Sequence, residues 1–293
     1  MSDLLQIDLT QKNQHGVDLS REVTQATIDL YALINQITND LGVSYVVIGA
    51  TARDLVLHHG FGAPIKRATT DIDFGMQVES WDGFEKIKNA LVDNGFVTTK
   101  NAHKLIGPNN TKIDVVPFGK LEDKSSNIRW PPKGDIEMSV LGFQEAHDNA
   151  INVILQKKPL VEIPVATPQG VALLKIIAWA DREAPLKKKD AEDLAYLLEK
   201  YERVSEVSTK IYDTEGLMDQ YDYELALGSA HQLGIDVAFI SNEITKKHIL
   251  EILDNNLKTD EPSELVIDMC GLSDGEYEEK LRMLQAFANG FKN

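Results

Sequence analysis

The sequence predicts an α+β fold, a short mixed sheet bearing helices, followed by a helical C-terminal region. Three observations carry that prediction. Short β-branched runs such as Ser44-Tyr45-Val46-Val47-Ile48 alternate with segments whose apolar residues recur at helical spacing. Gly and Pro mark the junctions, at Gly42, at Gly60, Gly62 and Pro64, and at Pro108. Beyond about residue 206 the pattern turns helical and acidic, with 7 Lys or Arg against 17 Asp or Glu.

Taken in order, residues 1–20 are polar and aperiodic and read as an N-terminal arm. Val23 to Leu41 carries Ile28, Leu30, Leu33, Ile34 and Ile37 on one helical face, and Gly42 stops it. Residues 44–48 form a buried strand ending at Gly49, followed by a helix from Ala50 to His59 and a loop over 60–70. Asp71 to Val78 alternates and reads as a strand; Trp81 to Asp93 is an amphipathic helix stopped at Gly95. His103–Ile106 and Lys112–Phe118 form a hairpin around Pro108-Asn109-Asn110, and Lys120 to Asp135 reads as loop. Strands are expected at Asp148–Leu155 and Leu160–Val165, and helices from Thr167-Pro168 to about Ala180 and from Lys189 to Tyr201. The implied organisation is an arm (1–20), a core (21–165), a helical segment closing over a ligand (166–205) and the acidic helical region (206–293).

Composition narrows the function. The balance of 43% hydrophobic and 26% charged residues over 293 positions excludes fibrous and wholly disordered classes. A formal net charge of -16 gives no basic stripe of the kind duplex-binding proteins carry. The single cysteine, Cys270, excludes a disulfide framework and a Cys-rich zinc site. The first residues lack a basic and then apolar leader. The longest apolar stretches, Val43–Ala50 and Val171–Ala180, fall short of a membrane span. The expectation is a cytoplasmic protein with no membrane partner.

The chemistry concentrates in three acids. Asp71 and Asp73 stand at i and i+2 of a strand, so both carboxylates share one face while Ile72 and Phe74 take the other. Like charges so placed repel, and a divalent cation relieves them; Mg²⁺ favours a few carboxylates together with phosphate oxygens. Asp114, in Lys112-Ile113-Asp114-Val115-Val116, converges on the same spot if its strand lies beside the first. Such a triad suits two-metal phosphoryl or nucleotidyl transfer, with two Mg²⁺ ions (or Mn²⁺ in their place). Upstream, Val46-Val47-Ile48-Gly49-Ala50-Thr51 runs from strand into helix, where Gly49 permits close backbone approach and free N–H groups face phosphate.

In these motifs and their order the chain resembles the nucleotidyltransferases of the DNA polymerase β superfamily, and within it the AbiEii/AbiGii toxin-like family. Gly49-Ala50, Asp71-Ile72-Asp73 and Asp114 match the superfamily pattern. Lys175 in Ala172-Leu173-Leu174-Lys175-Ile176-Ile177-Ala178 and the element Asp190-Ala191-Glu192-Asp193-Leu194 match two further family features, so the likeness spans about residues 43 to 200. Where the superfamily often has Gly-Gly or Gly-Ser, this chain has Gly49-Ala50, with the Thr51 hydroxyl as the substitute.

The resemblance implies a polymerase β-like fold and Mg²⁺-dependent transfer of a nucleoside monophosphate from ATP, GTP or another NTP to a hydroxyl. The acceptor it implies is tRNA or another RNA, and the implied partner is an antitoxin protein. By the same likeness Asp71 and Asp73 hold the ions, and Asp114 completes the site near the acceptor hydroxyl. Lys175 meets a phosphate, Asp190 orients Lys175 or the sugar and base, Arg53 reaches the triphosphate, and Lys66 with Arg67 neutralises it or contacts the acceptor.

Three rivals stay open. The acidic balance suits a cationic small-molecule acceptor of the aminoglycoside type. A nucleotide-binding regulator without turnover is the second, and a glycosyltransferase with an Asp-x-Asp site, which predicts neither Asp114 nor the lysine element, is the third. Asp73-Phe74-Gly75 lacks the companion motifs of a kinase. Gly271-Leu272-Ser273-Asp274-Gly275 reads as a helix stop followed by a capping box, Ser273 with Glu276, rather than a nucleophile elbow. Lys187-Lys188-Lys189 reads as a solvated loop, with RNA contact the sharper alternative.

Overall fold

The computed structural model describes residues 17–65, 71–131, 134–258, 261–271 and 275–293. They divide into two compact units: a sheet unit of residues 17–60 and 71–167, and a helical unit of residues 61–65 and 168–293.

The sheet unit runs β1 (Val17–Asp18), α1 (Gln25–Leu41), β2 (Ser44–Ile48), α2 (Gly49–Arg53), a π-helical stretch Asp54–Gly60, β3 (Asp71–Val78), α3 (Trp81–Asp93), β4 (Val97–Thr98), β5 (Lys104–Ile106), β6 (Lys112–Gly119), β7 (Asn127–Arg129), β8 (Glu137–Ser139), α4 (Phe143–Asp148), β9 (Ile151–Lys157) and β10 (Leu160–Val165). Eight of these strands form one mixed sheet in the order β1-β9-β10-β2-β3-β6-β5-β4. The central strand β3 is antiparallel to β2 and parallel to β6. The C-terminal end of β2 and the N-terminal ends of β3 and β6 therefore lie at the same end of the sheet.

Local signals explain most boundaries. Thr24 caps α1 through its side chain, and Gly42 ends it. Ser80 caps α3 by accepting from the Gly83 amide. Alternation sends Phe74 and Met76 of β3 into the core, where Phe74 meets the rings of Tyr31 and Tyr45 edge-on at 5.9 and 5.8 Å. On the opposite face Gly75 leaves room for Phe143 of α4, which a Cβ would approach to 3.2 Å. That face is thus covered near the middle of β3, away from its N-terminal acids.

Several expectations need correction. The helix expected over Ala50–His59 is α2 for only five residues and then widens into the π-helical stretch, burying Leu55, Val56 and Leu57 in succession. The loop expected over 120–135 contains β7, which pairs with β8 in a small ribbon closed by an Arg129–Glu137 ion pair; three-residue strands are too short for periodicity to register. The strand expected from Asp148 begins at Ile151, because Asp148 still belongs to α4 and Asn149 closes that helix onto the Glu145 carbonyl.

The helical unit contains α5 (Pro168–Asp181), α6 (Leu186–Lys200), α7 (Ser205–Asp213), α8 (Leu217–Gln220), α9 (Leu225–Ile240), α10 (Glu243–Asn256), α11 (Glu264–Cys270) and α12 (Tyr277–Lys292). The α6 helix starts three residues earlier than expected, so Lys187, Lys188 and Lys189 are helical rather than in a loop. Gly271 ends α11, whereas Ser273 of the expected capping box lies outside the described residues. Helices α9 and α12 meet backbone to backbone: a Cβ on Gly290 would lie 1.9 Å from the His231 carbonyl oxygen, and one on Gly234 2.1 Å from that of Phe287. The Tyr196 hydroxyl donates to the Pro64 carbonyl at 2.8 Å, tying residues 61–65 to α6. Among the described residues no helix is long and apolar enough to cross a membrane.

Candidate active site

Register places the three acids. Asp73 is paired with Ile48 of β2 on one side and with Asp114 of β6 on the other, while Asp71 lies two residues back, opposite Lys112. Adjacent strands are about 4.8 Å apart and residues i and i+2 share a face. Asp71, Asp73 and Asp114 therefore occupy one face at one end of the sheet, all three half-buried.

Gly49 stands at the tip of β2, at φ +70°, and a Cβ there would lie 2.2 Å from Asp73 Oδ2. Asp73 thus folds over a backbone that only glycine can provide. The Thr51 hydroxyl donates to the Asp71 carbonyl at 3.1 Å, fastening α2 to the start of β3, and Ala50 is buried.

The side chains differ from the expected convergence in two places. Asp114 Oδ2 is held by Lys104 Nζ of β5 at 2.6 Å, Lys104 being the residue opposite Asp114 across the hairpin. Among the described residues no group of three carboxylate, His or Cys side chains is arranged to hold a metal ion. Arg53, expected to reach a triphosphate, is the last residue of α2. It is fully buried, with Nε and Nη2 on Asp54 Oδ1 at 2.8 and 2.7 Å, because its position on α2 turns it into the core. Lys66 and Arg67 lie outside the described residues.

The residues nevertheless fit a divalent ion in two respects. The donor set is three carboxylates on adjoining rungs of one sheet face. Asp114 already accepts a cation, the Lys104 ammonium.

The Tyr31 hydroxyl of α1 is buried without a hydrogen-bond partner among the described residues. Burial first, and the charge of Asp73 second, push its titration far above the usual tyrosine range.

The helical unit holds a second cluster. Lys175 Nζ of α5 lies 2.7 Å from Asp190 Oδ1 and 2.9 Å from Asp193 Oδ2 of α6, and Arg182 Nη1 lies 2.8 Å from Asp190 Oδ2. Burial alone would lower Lys175, but the two carboxylates outweigh it and raise the lysine above its ordinary value. The structure thus joins Lys175 to Asp190, and adds Asp193 and Arg182. Asp193 was legible as the i+3 neighbour of Asp190 on one helix face, whereas no sequence pattern points to Arg182. Lys187 is not a free basic residue: it lies 4.3 Å above the Trp179 ring and 2.8 Å from Glu264 Oε1.

The mixed sheet thus presents paired acids beside a glycine turn. The family model described as nucleotidyl transferase AbiEii toxin, type IV TA system, matches residues 33–261, more than half of the chain. The protein is a nucleotidyltransferase, and it belongs to the AbiEii toxin family. No curated protein matches in sequence.

Among solved structures the chain is similar to ANT(2")-Ia in complex with adenylyl-2"-tobramycin (12% identity, covering 68% of this chain and 99% of that one, TM-score 0.39). It is also similar to an antigenic nucleotidyltransferase-like protein from Paracoccidioides brasiliensis (17%, 69% and 92%, 0.37). A third likeness is to the Thermotoga maritima CCA-adding enzyme complexed with tRNA (14%, 90% and 67%, 0.28). The assignment rests on the family match.

Proposed function

We propose that this nucleotidyltransferase moves a nucleoside monophosphate from an NTP to a hydroxyl of tRNA or another RNA, dependent on Mg²⁺. We further propose that it acts in the cytoplasm as a toxin countered by an antitoxin protein. The observation that carries the chemical part is the rung Ile48–Asp73–Asp114, with Gly49 at one end beneath the Asp73 carboxylate.

Asp71, Asp73 and Asp114 would hold the ion. Bound there, a divalent ion supplies charge to neutralise the triphosphate and lowers the pKa of the attacking hydroxyl. The chain's own residues do the positioning. Gly49 admits the triphosphate close to the backbone, on the β2 side of Asp73. Asp114, on the opposite side, stands where the acceptor hydroxyl gives up its proton.

Labelled NTPs, offered one at a time with Mg²⁺ and either total tRNA or aminoglycosides, test the reading. Label in tRNA that disappears with Asp73→Asn supports it. Label in the aminoglycoside moves the acceptor to a cationic small molecule. Nucleotide binding with neither acceptor labelled, unchanged by Asp71→Ala, makes the protein a regulator. Growth arrest on expression, relieved by a co-expressed neighbouring protein, tests the toxin role.

A further inference from the structure

Three carboxylates crowded on one sheet face need compensating charge before any ion arrives, and the fold provides it from the next strand. Lys104 of β5 is the antiparallel partner of Asp114, and its ammonium lies 2.6 Å from Asp114 Oδ2. We infer that Lys104 is the resident counter-ion of Asp114 and competes with the divalent ion for that carboxylate, so that it sets how tightly the site binds metal. This inference rests on the reading of Asp71, Asp73 and Asp114 as the metal ligands.

Two features argue for a competitor rather than a structural tie. The first is exposure. The Lys104 side chain is 37% exposed and that of Asp114 17%, so the ammonium can swing into solvent without opening the core. The ion pairs that tie the helical unit are closed by comparison, with Lys175 at 12% and its two aspartates at 2% and 0%. The second feature is connectivity. Asp114 is the one acid of the three on a strand that borders β5, and β6 already binds β5 through backbone rungs at three positions. The side-chain pair adds little to that pairing, yet it occupies an oxygen of the third ligand. A bound divalent ion would therefore compete with Lys104 for Asp114, and would meet its positive charge at close range.

The inference can be tested with the full-length protein by titrating Mn²⁺ without nucleotide, following the free ion by electron paramagnetic resonance. Lys104→Met is expected to bind Mn²⁺ roughly two- to five-fold tighter than the natural protein, the range of a partly exposed ion pair. Lys104→Arg keeps the pair and should bind as the natural protein does. In the Asp114→Asn background, Lys104→Met should change nothing further.

Unchanged or weaker binding by Lys104→Met, with an intact circular dichroism spectrum, overturns the inference. Lys104→Gln serves the same purpose if the methionine variant does not fold. Asp73→Asn separates the two levels. If it abolishes Mn²⁺ binding while Lys104→Met has no effect, only the counter-ion role fails. If it leaves binding as before, or if the natural protein binds no Mn²⁺, the ligand assignment fails and the counter-ion role with it.

Discussion

Two clusters of aspartates and basic side chains are built from nearly the same residues and end in different states. On the sheet, three aspartates share a face with one lysine, and all are open to solvent in part. Between α5 and α6, two aspartates at 2% and 0% exposure are matched by Lys175 and Arg182. The helical cluster balances its own charge, and its members are fixed by one another. The sheet cluster is partly open to solvent, so it is the cluster that something from outside can enter. Exposure, rather than residue type, separates a site from a brace.

The largest effect should come from the open cluster. Asp73→Asn keeps the shape of the side chain over Gly49 but removes the charge between Ile48 and Asp114. Metal-borne charge stabilisation contributes several kcal/mol to such transition states, so NMP transfer should fall on the order of a thousand-fold. Thermal stability should hold or rise, because one of three like charges has gone. A fall in melting temperature with transfer retained would make the sheet acids the brace and reverse the comparison.

The next effect should appear in stability and belongs to the closed cluster. Lys175→Met takes the ammonium away from the buried Asp190 and Asp193, and breaking a buried pair from one side costs about 3 kcal/mol or more. Denaturant melts of the variant read it directly. The sign of the pH dependence follows from the raised lysine. Its contribution is complete below the ordinary value of 10.5 and is lost only as pH climbs through the higher folded value. The alkaline limb of the stability profile should therefore be shallower in Lys175→Met, and its deficit against the natural protein should narrow as pH climbs through that value.

Arg182→Met sharpens the same contrast at smaller scale. Its side chain is 41% exposed, so water takes up much of the lost interaction and Asp190 keeps Lys175. A cost of about 1 kcal/mol or less is expected. Equal losses for the arginine and lysine variants would mean that burial does not grade this cluster.

Much of this was legible in the chain. Gly49, Asp71, Asp73 and Asp114 follow from strand alternation and from a short β-branched run ending in glycine, signals that lie within a few residues of one another. Lys104 was within reach as well: a hairpin centred on Asn109 pairs residue 104 with residue 114. A single lysine on a strand this short carries no pattern of its own. The burial of Arg53 lay beyond the sequence, because α2 gives way after Arg53 to a π-helical stretch that no local pattern announces. The contacts of Arg182 and Lys187 depend on where separate helices come together, which no local window contains.

The smallest effect tests whether the open cluster ends at its carboxylates. The Tyr31 hydroxyl is buried, lacks a hydrogen-bond partner and lies within reach of the charge on Asp73, while its ring packs edge-on against Phe74. An unsatisfied buried hydroxyl carries a desolvation cost with nothing in return. Tyr31→Phe preserves the ring and removes that cost, so stability should stay level or rise by up to about 1 kcal/mol. Transfer and Mn²⁺ affinity should not change. A loss of either with the fold intact would show that the hydroxyl turns toward Asp73 when the site is loaded, extending the functional cluster from the sheet surface into α1.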